Sequence, residues 1–193
     1  MAPRPWEMIM PNMLKLLASV LPLLAGSALA APAYTPGGDL IPPADYREWV
    51  FLSSGFDMSY SEGGIGMDHS MFDNVFVDPA SWARFKQTGH WPDKTMMVLE
   101  TRVATSHGSI NKHGQYQTEE LIGTEVHVRD QARFKGGWGF FRLNGTAPAK
   151  LIPYQAECYA CHQKNGAVDT TFTQFYPTAK QIAVKDGTFR DRP

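Results

Sequence analysis

Cysteine is nearly missing from this chain: 193 residues hold two, Cys158 and Cys161. A disulfide framework is excluded, because nothing is left over once these two are used together. An excess of either charge is missing too, with 18 basic against 19 acidic residues and a formal net charge of -1. Such a balance offers no basic field for nucleic acid. Apolar runs of spanning length are also lacking. The stretch Leu16 to Leu24 falls short of the roughly 20 residues a membrane helix needs. It follows Arg4 and Lys15 and precedes Ala28-Leu29-Ala30, the order of a signal peptide with its small-x-small cleavage site. Residues 1–30 are therefore expected to be removed after Ala30, leaving no membrane span and delivering the remainder to the periplasm. No internal repeat is present, and the length suits one domain.

What the chain does have is Glu157-Cys158-Tyr159-Ala160-Cys161-His162. Two thiols at this spacing can each bond to a vinyl group of one haem, and the histidine that follows can ligate the iron. The run reads as a c-type haem attachment site, with Cys158 and Cys161 as anchors and His162 as the metal ligand. A redox dithiol is the plainer alternative, but such a motif wants a βαβ context that the pattern does not supply. Zinc is weaker still, since a structural site needs four ligands and no second Cys or His pair stands at matching spacing.

The remaining elements follow from local signals. Residues 31–44, with Ala-Pro-Ala-Tyr-Thr-Pro-Gly-Gly at their start, read as a flexible leader. Asp45 to Leu52 is the first segment able to pack, a helical turn running into extended chain. Ser53 to Ser70, carrying Gly55, Gly63, Gly64 and Gly66, is expected as a loop ending near His69. Val75-Phe76-Val77 makes a short strand. Asp78-Pro79 then starts a helix, Asp as the cap and Pro where a missing N–H costs nothing, and Gly89 stops it. Thr95 to Val103 alternates as a strand with Met97, Leu99 and Val103 on one face. Leu121 to Val128 is its partner, with Glu125 and His127 opposite Ile122, Val126 and Val128. Trp138 to Leu143 is a third strand, and short turn-bearing links suit hairpins. The fold class is thus α+β: a mainly antiparallel sheet with a few flanking helices, the CxxCH run on a short helix and Phe172 to Pro177 packed behind it. Residues 45–193 form the single domain.

Asp45-Tyr46-Arg47-Glu48-Trp49, Val75 to Pro79, Lys86-Gln87-Thr88-Gly89, the CxxCH run and Phe172 to Pro177 together resemble the cytochrome P-460 family, which includes cytochrome c′-beta. The resemblance covers roughly Asp45 to Pro177. It implies a homodimer, one haem c whose distal face has no protein ligand, and two branches of function. In one, a lysine is cross-linked to the haem and the protein oxidises hydroxylamine, sometimes with nitric oxide as co-substrate. In the other the cross-link is absent, and nitric oxide or carbon monoxide binds in an apolar distal pocket. The family's lysine position falls on Leu99. Lys94 is no easy substitute, because five strand residues span roughly 16 Å, and Lys112 lies in a turn. The distal acid is kept as Glu125, whereas the position of the distal arginine holds Asp73.

Three functions remain open. A haem that binds nitric oxide or a related nitrogen ligand is preferred, with Leu99 and Met97 as dry distal walls. Hydroxylamine oxidation would use Glu125 as distal acid or base, its pKa raised by burial; the plain alternative is a solvent-facing sheet glutamate. An electron carrier would need a sixth ligand such as Met96, Met97 or His69. Phe72 and Phe76 could cap the site or simply be core. A cytochrome is expected as redox partner.

Overall fold

The computed structural model describes residues 31–59 and 69–191; the expected signal peptide, 1–30, lies outside them. Five strands, β1 (Val50–Phe56), β2 (Met71–Val77), β3 (Met96–Thr105), β4 (Tyr116–Arg129) and β5 (Trp138–Arg142), form one sheet in the order β1-β2-β3-β4-β5. All neighbours are antiparallel. Three helices flank it: α1 (Pro79–Thr88), α2 (Glu157–Asn165) and α3 (Pro177–Lys185). The α+β expectation holds.

Alternation sorts the strands onto two cores. Val77, Met97, Trp138 and Phe140 point towards the helices and pack with Phe85, Trp91, Tyr159, Ala179 and Ala183. Met96, Val98, Val126, Val128 and Phe141 point the other way and pack with Leu40, Trp49 and Phe134. The expected face of β3 is observed, and in β4 Val126 and Val128 lie opposite Glu125 and His127 as expected, whereas a register shift beside Gly123 leaves Ile122 exposed and outside that core. α1 begins and ends as read: Asp78 accepts from Ser81 N at 2.8 Å, and Gly89 closes the helix at φ 65°.

Two expectations need correction. Residues 31–44 are not a loose leader among the described residues. Leu40 bridges Tyr34 and Ala149 and is fully buried, while the Arg133 guanidinium lies 3.7 Å from the centre of the Tyr34 ring. Pro and Gly shape turns here without freeing the chain, because one apolar side chain finds a core. Ser53 to Phe56 belong to β1, and β2 begins at Met71, earlier than Val75; the pairing of the two strands outweighs the loop-like composition of both stretches. Of the two readings of Phe72 and Phe76, aromatic packing is the one observed, and neither lines the cavity between sheet and α2. They lie on the sheet face away from α2, where Phe76 meets Tyr46 and Phe51, and Phe72 meets Phe56.

Candidate functional site

Successive rows across the helix-facing side of the sheet build the site. The first row is Val77, Met97, His127 and Phe140; the next is Val75, Leu99, Glu125 and Arg142; the third is Asp73, Thr101 and Gly123. Rows lie about 7 Å apart, two residues of antiparallel strand. α2 covers the first row. Its His162 ring packs against Phe172 at 4.3 Å, Phe140 at 4.8 Å and His127 at 5.0 Å between ring centres. Met97 therefore stands level with His162, and Leu99 and Glu125 stand one row further along.

Between sheet and helix lies a cavity of about 660 Å³, lined by Cys158, Cys161, His162, Met97, Leu99 and Glu125 among others. Its size falls in the range of about 300–1,000 Å³ usual for small-molecule and cofactor sites. No lysine or arginine is among the described residues that line it. Lys94 is instead engaged with Asp130, and Lys112 is exposed. Met96 faces the opposite core, and His69 is exposed outside the lining. Met97, buried in the cavity wall, is thus the one of the three proposed sixth ligands that reaches this cavity.

His162 is prepared as a ligand. A carbonyl can only accept, so the Thr170 carbonyl at 2.9 Å takes the Nδ1–H and leaves Nε2 with its lone pair free for a metal. Burial, with neighbouring His127 adding to it, pushes the imidazole down to about 3, so it is neutral near pH 7. Both thiols are free and part-buried. Two free thiols and a neutral, pre-oriented imidazole on one wall of a largely apolar cavity fit a covalently held haem. Zinc does not fit: no group of three or more His, Cys, Asp or Glu side chains converges as a metal site among the described residues.

The turn that carries Thr170 is unusual. Asp169 and Thr170 both have positive φ, 46° and 62°, the pattern of the mirror-image turn that usually calls for Asn and Gly. The left-handed conformation costs about 1–2 kcal/mol per ordinary residue. Gly166 makes room for it, since a Cβ there would stand 2.4 Å from the Thr170 carbonyl carbon.

Glu125 departs from expectation. It does line the cavity, but its carboxyl is not raised. The neighbouring His127, then Arg142, outweigh burial and hold it at about 2. The two partners differ in kind: Arg142 donates at 2.7 Å, whereas His127 Nε2 at 3.9 Å is beyond hydrogen-bond length. Geometry makes Arg142 the firmer hold.

Thr101, His127, Asp169 and Thr170 were not singled out by sequence reasoning as site residues, and Asp73 entered only as the residue at the position of the distal arginine. Asp73 lines the cavity and accepts from Thr101 Oγ1 at 2.7 Å. Burial pushes its carboxyl up, with Asp57 and Glu125 adding to the effect against the Thr101 hydrogen bond. Strand alternation with Val75 could have revealed it; nothing local could have revealed Thr170, whose backbone oxygen does the work.

The family model described as Cytochrome P460 matches residues 43–173. No curated protein matches the chain.

Proposed function

The chain belongs to the cytochrome P460 family, and from that premise we propose that it is an exported mono-haem c-type cytochrome binding nitric oxide or a related small nitrogen ligand. Family membership implies haem. Covalent attachment through Cys158 and Cys161, and ligation by His162, are our reading of the CxxCH helix. Haem iron, when bound, supplies an open coordination position and one-electron chemistry. The chain's residues do the rest: His162 presents a neutral nitrogen, Phe172 and Phe140 hold its ring, and Leu99 and Val75 give the next row an apolar part beside the Glu125–Arg142 pair.

One observation carries the preference for binding over oxidation. Leu99 occupies the row beyond His162, beside Glu125, and no described lysine lines the cavity. An uncross-linked haem should show an ordinary c-type Soret band on reduction, and that band should shift when nitric oxide is added. An unchanged spectrum would remove the binding reading, and a strongly red-shifted band before addition would mean a lysine bridge.

A second reading, hydroxylamine oxidation, is supported by the place of Glu125 on the cavity wall, although its lowered pKa makes it a weak base. It requires turnover with an electron acceptor that drops in Glu125→Gln; a parent protein with none ends it. Export is supported by the signal-like residues 1–30, and no described helix is long and apolar enough to cross a membrane. A mature N-terminus at Ala31, read by mass spectrometry, checks it. A homodimer and a cytochrome redox partner remain part of the proposal through the family.

A further inference from the structure

We propose that Asp169 is a positioning residue for the iron ligand: by locking the 169–170 turn it holds the Thr170 carbonyl against His162 Nδ1–H. This rests on the reading of His162 as that ligand. The carboxylate of Asp169 is a hub joining three elements. It accepts from Trp91 N at 2.8 Å and from His90 Nδ1 at 3.2 Å. Arg129 Nη1 lies 3.1 Å away, an ion pair angled so that the N–H makes no hydrogen bond. The main-chain oxygen of Asp169 accepts from Trp138 Nε1 at 2.8 Å.

These contacts have a backbone consequence. Two successive side-chain-bearing residues sit in the left-handed region, which persists only where the surroundings over-determine it. Remove the carboxylate and the turn is left with its own closure, Thr171 N to the Val168 carbonyl at 2.8 Å, and the Trp138 bond, which permit a shift towards ordinary φ values. The first thing it carries away is the Thr170 carbonyl. An acceptor on the far nitrogen of a ligating histidine fixes the ring and makes it a stronger donor. Weakening that acceptor makes the imidazole a poorer donor, which favours the reduced metal.

The test compares the matured, pigmented parent with Asp169→Ala, Asp169→Asn and Gly166→Ala, reading the ferrous iron–histidine stretching band and the reduction potential. In Asp169→Ala the band falls in frequency and the potential rises. Asp169→Asn keeps an oxygen for Trp91 N but loses the charge that draws Arg129, so it lies between parent and Ala. Gly166→Ala pushes on the same carbonyl, and on the His162 main-chain oxygen 2.7 Å from the added Cβ, without touching Asp169, and shifts both readouts the same way. Where Asp169→Ala does not accumulate, a shift in Asp169→Asn supports the proposal and its absence overturns it. Band and potential unchanged in a pigmented Asp169→Ala overturn it outright, and so does a shift confined to Gly166→Ala. A parent that carries no haem, or whose haem spectrum is unchanged in His162→Ala, is a different failure: it removes the reading of His162 as the iron ligand and this role with it.

Discussion

Glu125 keeps its negative charge far below the pH at which carboxylates usually protonate, and this has a stability consequence with a definite sign. Its folded value is about 2 against an ordinary 4.5. The group therefore contributes stability in full above about pH 4.5, and loses it as pH falls from there through about 2. Arg142, its hydrogen-bonding partner, is 76% exposed, so solvent screening limits the contribution to about 1 kcal/mol. Denaturant unfolding at pH 6 and pH 3 should show the parent losing about 0.6 kcal/mol more than Glu125→Gln between the two, since the loss is complete only below about pH 2; equal losses would mean that the interaction is absent. The same depression makes Glu125 a weak base. Any hydroxylamine turnover should accordingly show no limb between about pH 4 and 7 that vanishes in Glu125→Gln.

At the scale of elements, what could be read from the sequence was what its own neighbours enforce. α1 is bounded by residues that act within a turn of themselves, Asp78, Pro79 and Gly89, and these are where the helix starts and stops. β3 and β4 were legible because alternation sorts Val126 and Val128 from Glu125 and His127. The CxxCH run named its own chemistry. β1 beyond Leu52 was not legible, since Ser53, Ser54 and Gly55 become a strand only through pairing with β2. The Thr170 carbonyl escaped for the same reason, its role being made by a contact with a ring on another element. Asp78 combines both kinds of information. One carboxylate oxygen caps α1, and the other accepts from Met96 N at 2.9 Å at the start of β3, in a side chain that is buried. Asp78→Ala should thus cost more than a cap alone. To about 1 kcal/mol for the cap is added about 1–3 kcal/mol for a buried N–H left without an acceptor. Chemical denaturation should show a loss of about 2–4 kcal/mol with an unchanged m-value. A loss under 1 kcal/mol would mean that water or a neighbour replaces the carboxylate.

For the molecule as a whole, the cavity lies beside the contact of α2 with the helix-facing core, and its filling should decide how stable the domain is. Phe175 and Met58 on its lining are 49% and 37% exposed, and Val75, Leu99 and Phe172 are half-buried there. Fully burying such a side chain is worth about 1.5–3 kcal/mol. Completing the cover of these five, each already part-buried, should then contribute about 1 kcal/mol apiece, or about 5 kcal/mol together. That is a large share of the about 5–15 kcal/mol by which domains are usually stable. The opposite core, built on Leu40, Trp49, Val98 and Val126, meets the cavity only through Val98 and should survive its emptying. A haem-free Cys158→Ala/Cys161→Ala chain is therefore expected to keep its sheet but to melt lower by about 10–20 °C, at about 2–4 °C per kcal/mol for a domain of this size. Circular dichroism on the pigmented parent and the colourless variant measures both quantities. Equal melting temperatures would show that nothing bulky and apolar completes this cavity in the parent. Loss of the sheet signal itself would show that the two cores do not fold independently of the site between sheet and helix.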